Sequence, residues 1–279
     1  MLSQLIDTHA HLDFPDLIGR IDKVLDNAQN TRVTKIINVG NNLVGSRKSV
    51  DLGKKYSQIY PSIGLHPHVL VEDNLFNEDK LIDNQIFEIK QLLGEEKVVA
   101  IGEIGLDYFR LPETPFDFAQ GKVGEIDIKR AQKELFIRQL QLAAYDNMPV
   151  IIHSRDSADD TLKIMNEFSN LKAVFHCFSY SLEIAKEIIN KGWLISFTAN
   201  ITYPNNKDGQ EIIRYFDLSP IMIETDAPFL APQGKRGTIN EPANLLEVAK
   251  KIAEIKQIKL EEVADWTTKN AVNFFDLKN

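Results

Sequence analysis

At 279 residues, with 43% hydrophobic and 26% charged, the chain can bury one large α/β core or two smaller ones, and its composition excludes disorder and fibrous repeats. Forty acidic against 32 basic residues give a net charge of -8, which argues against a broad basic surface coating polyanions; a nucleic acid could still be held locally by metal ions and a few Arg or Lys. The single Cys177 excludes a disulfide framework and a Cys-based zinc cluster, while the lack of a signal peptide at Met1 or of an apolar run near the roughly 18 residues of a membrane span makes the cytoplasm the expected address, with no membrane contact.

The first apolar, β-branched run, 5–11, carries Asp7, His9 and His11. The second is 35–40. The third, 60–65, leads into Gly64-Leu65-His66-Pro67-His68, and the fourth, 98–102, ends just before Glu103. Behind it the stretch 111–125, with Pro112, Pro115, Gly121 and Gly124, reads as an irregular excursion loop. A helical face over 128–146 (Ile128, Ala131, Leu135, Leu142, Ala143) precedes the fifth run, 149–153, which ends on His153. Runs at 173–178, containing His176, at 194–198, and at 221–226, ending on Asp226, complete a set of eight. A second helical face follows over 241–256 (Leu245, Val248, Ile252, Ile255), and a last helix at about 261–275 offers Val263, Trp266 and Phe274 to close the structure. Eight strands alternating with helices predict an α/β protein, a single (β/α)8 TIM barrel over 1–279.

All six histidines fall at or just past the C-terminal ends of these strands, and two His-x-His pairs occur, at 9/11 and 66/68, where random scatter gives roughly 0.13. In a barrel that end is the active-site rim, and alternate residues of a strand point inward. By that period His9 and His11 share a face with Asp7, Glu103 with Ile101, His153 with Ile151, His176 with Val174, and Asp226 with Glu224. His9, His11, Glu103, His153, His176 and Asp226 therefore converge on one mouth. Four imidazoles with two carboxylates exceed the ligands of one catalytic zinc and fit two divalent ions bridged by a carboxylate, with Glu103 the natural bridge. Of the 66/68 pair, His66 is read as the ring facing the site. Cys177, out of phase with His176, is expected to point away toward the helices and serve packing.

At these residues the chain resembles the TatD family of metal-dependent deoxyribonucleases among the amidohydrolase-like barrels. The matching segments are Ile6-Asp7-Thr8-His9-Ala10-His11-Leu12-Asp13, Gly64-Leu65-His66-Pro67-His68, Gly102-Glu103-Ile104-Gly105-Leu106-Asp107-Tyr108, Ile152-His153-Ser154-Arg155, Phe175-His176-Cys177-Phe178-Ser179 and Glu224-Thr225-Asp226-Ala227-Pro228-Phe229-Leu230. The resemblance implies cleavage of phosphodiester bonds in DNA, usually exonucleolytic, with two divalent ions held by His9, His11, Glu103, His153, His176 and Asp226. It also implies that Glu103 stands where many relatives use a modified lysine. Three departures fall on the rim: Tyr180-Ser181 replaces the usual Gly-Ser, 112–123 resembles an insertion, and Gly237-Thr238-Ile239 lengthens a loop.

For such a reaction Glu103 and Asp226 are the expected catalytic carboxylates, Asp226 orienting or deprotonating water in addition to its place among the ligands. Glu224 could support the ligands from beneath, and Asp107 could orient a ligand imidazole or contact substrate. Arg155 and His66 are expected on the substrate phosphate; for Arg155 a salt bridge to Asp156 or Asp159 is the alternative. Imidazole-rich coordination suits Zn, Mn or Co, with Mg in a weaker position. DNA is the expected substrate, supported by Lys235-Arg236, and no obligate protein partner is evident. The competing reading is a metal-dependent amidase or lactonase on a small substrate; a third, a barrel that binds metal or nucleic acid without catalysis, would be expected to have lost a ligand.

Overall fold

Short β-branched runs buried on both faces are what a parallel sheet enclosed by helices requires. The computed structural model describes residues 3–72, 79–109, 111, 116–118, 121–123 and 125–278. In chain order its elements are β1 (Leu5–Ala10), α1 (Pro15–Ile18), α2 (Ile21–Asn30), β2 (Val33–Val39), α3 (Leu43–Lys55), β3 (Ile59–Ile63), α4 (Val69–Glu72), α5 (Asp79–Leu92), β4 (Ala100–Asp107), β5 (Phe116–Phe118), β6 (Gly121–Val123), α6 (Glu125–Asp146), β7 (Val150–Arg155), α7 (Ala158–Glu167), β8 (Ala173–Phe175), α8 (Leu182–Asn190), β9 (Leu194–Phe197), α9 (Lys207–Tyr215), β10 (Ile221–Ile223), α10 (Leu245–Lys256) and α11 (Leu260–Phe275).

Eight strands form one parallel sheet in the order β1-β2-β3-β4-β7-β8-β9-β10, the predicted barrel. It closes through a parallel bridge between Ala10 and Ala227. Around that bridge the Asp226 N–H donates to the His9 carbonyl (2.9 Å) and the His11 N–H to the Ala227 carbonyl (2.7 Å). The seam of the barrel is thus made by the segments that carry His9, His11 and Asp226.

One cluster fills the interior: Ile6, Ile37, Ala100, Ile151, Val174 and Met222, with Phe274, Phe275 and Leu277 at the end of α11 packed against it. Phe274 plugs the barrel as expected. Val263 instead joins the larger cluster between sheet and helices, and Trp266 is 40% exposed, because only one stripe of α11 can face the barrel at a time.

Two expectations are corrected around β4. The strand runs to Asp107, and its pairing with β7 slips between Ile101 and Ile104. Ala100 therefore faces the interior while Ile101, Ile104 and Leu106 pack outward; Glu103 faces inward, but not in phase with Ile101. A bulge inverts the alternation on which that pairing of faces rested. The stretch behind β4 is not wholly irregular, since β5 and β6 pair as an antiparallel hairpin. Pro112, Pro115 and Gly124 lie outside the described residues.

Candidate metal centre

β1 delivers two imidazoles to one point. The Nε2 atoms of His9 and His11 lie 3.2 Å apart, with Glu103 Oε2 at 3.5 and 3.9 Å and Asp226 Oδ1 at 3.9 and 3.5 Å from them, respectively. Four donors bonded at about 2.1 Å to a tetrahedral ion would stand about 3.4 Å apart. The Nδ1 atom of His11 donates to the Val39 carbonyl at 2.9 Å, which turns its Nε2 toward the site.

The other oxygen of Glu103 serves a different pair. Oε1 lies 2.6 Å from His153 Nδ1 and 2.7 Å from His176 Nε2, and those two nitrogens are 3.2 Å apart. Each ring has a carboxylate on its far side. His153 Nε2 donates to Asp107 Oδ2 at 3.0 Å, and Glu224 Oε1 lies 3.3 Å from His176 Nδ1 while accepting the Cys177 N–H and, through Oε2, the Ser196 hydroxyl. Asp107 and Glu224 thus stand where orienting carboxylates were expected. Asp7 takes no part in the cluster: it accepts from the Thr225 N–H and hydroxyl and ties β1 to the turn after β10.

Local sequence explains how Glu103 reaches His153. Gly105 has φ +146°, and a Cβ there would sit 1.9 Å from the His153 carbonyl oxygen. Only glycine lets β4 and β7 approach this closely.

Burial alone would neutralise every group here, and pairing reverses that for most of them. Burial raises Glu103, yet His176 and His153 hold it well below the ordinary carboxylate range. Burial lowers the imidazoles, but Glu103 and Glu224 lift His176 well above its usual value, Asp107 and Glu103 raise His153, and Asp226 with Glu103 carries His11 up to about 9. His9 and His66 stay depressed by burial and by a neighbouring imidazole, His176 and His153 respectively. Glu103 thus stays anionic with nitrogens facing both its oxygens, and His9 Nδ1 and His176 Nδ1 are buried without a hydrogen bond. This donor set fits divalent transition ions.

The cluster opens into a cavity of about 670 Å³ whose wall includes His66, His68, Asp107, Arg155, Cys177 and Phe229. His66 Nδ1 accepts the His68 N–H at 3.2 Å, so the ring proton sits on Nε2, 3.7 Å from Glu103. His68 also reaches the site, its Nε2 3.2 Å from Asp107. Arg155 lies over the Phe109 ring, 3.6 Å from its centroid, and forms no ion pair with Asp156 or Asp159 among the described residues. The reading of Cys177 is corrected. Its sulfur lies 3.7 Å from Thr198 Oγ1 on the cavity wall, because the residue leaves β8 with φ +45° and strand alternation no longer applies. Burial, with Asp226 and Glu224 nearby, pushes the thiol's pKa well up and keeps it protonated.

Tyr180, the departure from the usual pattern, braces the β7 loop: its hydroxyl lies 2.9 Å from Ser154 Oγ and accepts the Ser157 N–H. Lys235 turns to Asn244, and Arg236 lies over Tyr203; neither is in the cavity wall. The sequence reading missed Phe14 and Phe229, which flank His11 with ring centroids 5.3 and 6.2 Å away. The available signal was an aromatic residue three positions after Asp226.

A sequence model described as TatD related DNase matches residues 6–276. The chain is 34% identical to the uncharacterized metal-dependent hydrolase YabD of Bacillus subtilis over 273 residues, covering 97% of this chain and 98% of that one. It is 31% identical to human deoxyribonuclease TATDN3 over 274 residues, 97% and 94% of the two chains. Among solved structures, the TatD homologue YJJV of Escherichia coli superposes with a TM-score of 0.86 at 29% identity, covering 100% of both.

Proposed function

Because the chain belongs to the TatD related DNase family of metal-dependent hydrolases, we propose that it hydrolyses phosphodiester bonds in DNA, working from chain ends, at a centre of two divalent ions. The observation that carries this reading is the Glu103 carboxylate, whose two oxygens serve two separate histidine pairs. His9, His11 and Asp226 would hold one ion, His153 and His176 the other, and Glu103 both. The name of human deoxyribonuclease TATDN3 supports DNA as the substrate.

When bound, such ions neutralise charge on a phosphate and bring the pKa of water toward neutrality. The chain's own groups do the rest. Val39 and Asp107 hold the rings of His11 and His153 by hydrogen bonds on their far sides and Glu224 faces that of His176, so that the donor atoms face the substrate without reorganisation. Of the two carboxylates in the donor set Asp226 is the more exposed, its side chain 15% exposed against 6% for Glu103, and it takes the proton of the attacking water. His66, kept neutral, presents Nε2–H to a non-bridging oxygen. Arg155, free of carboxylate partners among the described residues and held on Phe109, pairs a phosphate.

The test is purified protein loaded with Mn, Zn, Co or Mg, incubated in parallel with single-stranded DNA and with a panel of small esters, lactones and amides. Release of nucleotides from DNA is expected. Turnover confined to the small panel overturns the reading.

A further inference from the structure

Phe229 is a large apolar side chain left 47% exposed in the wall of the cavity above the donor cluster. Its position is fixed by a turn in which its N–H donates to the Asp226 carbonyl at 2.8 Å. Phe14, where the chain enters α1, meets it edge to face with ring centroids 5.6 Å apart and planes at 84°. Both rings neighbour His11, so this aromatic pair borders the donor cluster directly. A phenyl ring kept in water beside a reactive centre forfeits burial that a partner could restore.

The sheet order places this pair relative to Arg155. Phe14 and Phe229 rise from the β10/β1 seam, whereas Phe109 and Arg155 rise from β4 and β7, half the circumference away. Across the mouth the order is therefore an aromatic pair, the anionic and imidazole donors, and a guanidinium. A single-stranded nucleic acid offers the complement: a flat base, a phosphate, then a further phosphate.

We propose that Phe229, backed by Phe14, is the stacking platform for the nucleobase next to the scissile phosphate of a single strand laid across the mouth toward Arg155. This rests on the DNA reading above. Every base has a π-face, so the platform tolerates sequence; it selects instead for bases already out of a duplex stack, and single strands or frayed ends are preferred over paired ends.

The test crosses protein and substrate changes. With metal-loaded protein, kcat/KM is measured on a single-stranded oligonucleotide and on copies carrying one abasic tetrahydrofuran residue on either side of the cleaved bond. For the parent, one of these positions should cost roughly 5- to 100-fold, the scale of a lost base stack. In Phe229→Ala the intact substrate should already show that loss and the same abasic position should cost little more, while Phe229→Trp should restore sensitivity to it. Equal abasic penalties in parent and Phe229→Ala overturn the platform. A second arm uses a non-hydrolysable phosphorothioate strand with 2-aminopurine at the sensitive position, or at each flanking position if no cleavage occurs. Fluorescence quenching by the parent and by Phe229→Trp, lost in Phe229→Ala, is expected; quenching unaffected in Phe229→Ala overturns the proposal. Absence of DNA cleavage by the parent with quenching intact overturns the nuclease reading alone.

Discussion

Glu103 sits between two pairs of imidazoles with one oxygen on each, and removing it leaves both sets of donors without their shared negative charge. Glu103→Ala should therefore release at least one metal equivalent and abolish hydrolysis; elemental analysis with two equivalents and undiminished turnover would refute the bridging role. Asp226→Asn keeps the size and one oxygen donor but removes basicity. It should retain most of its metal and lose about 10²-fold or more in rate on an oligonucleotide, the scale of a missing general base. A rate within a few-fold of the parent at full occupancy would assign proton removal elsewhere. Because Arg155 is proposed to pair phosphate rather than metal, Arg155→Ala should lower kcat/KM roughly ten-fold or more with metal content intact; a loss of metal would move Arg155 into the ligand set. The converging histidines and carboxylates were legible because each stands at a strand end in an unusual concentration of histidine. Phe229 was not, because an aromatic residue in a turn carries no period to read and its exposure is known only once the barrel is closed.

Along β4 a one-residue irregularity decides which side chains meet. Period-two reading put Glu103 inward and succeeded, but for the wrong face partner, since the slip between Ile101 and Ile104 inverts the phase before the carboxylate is reached. A similar break after β8 turned Cys177 into the cavity instead of the helices. Regular strands were therefore legible, while bulges and positive-φ turns at their ends, where the site is built, were not. Gly105 is the residue that makes the β4–β7 contact possible. Gly105→Ala would drive a Cβ onto the His153 carbonyl in a backbone region that L side chains avoid. The substitution should cost about 3 kcal/mol or more in denaturant unfolding, and a cost under about 1 kcal/mol would show that β4 can retreat from β7 freely.

The barrel as a whole is held at two ends by different means. At the lower end Phe274 and Phe275 seal the interior by apolar packing. At the upper end His9, His11 and Asp226 straddle the seam where β1 meets the segment after β10, and His153 and His176 are tied across to it through Glu103 and through the stacking of His176 on His9, ring centroids 4.1 Å apart. Ions bound there would link donors from both sides of the seam and favour the folded chain alone, since the unfolded chain does not gather these residues. At an ion concentration about 1,000-fold above Kd the gain is about 4 kcal/mol, which for a chain of this length moves Tm by roughly 8 °C. Stripping the metal with a chelator should lower Tm by that order, and adding it back should restore it. In Phe274→Ala the lower seal is weakened at a cost of about 3–5 kcal/mol, yet the metal-dependent shift should survive at nearly full size, because sites at opposite ends of the barrel share no partners and their effects add. In Glu103→Ala the shift itself should shrink. Calorimetry on the three proteins, each with and without metal, separates the two seals: a metal-dependent shift that is lost in Phe274→Ala but retained in Glu103→Ala would mean that the ions act on the core and not on the seam.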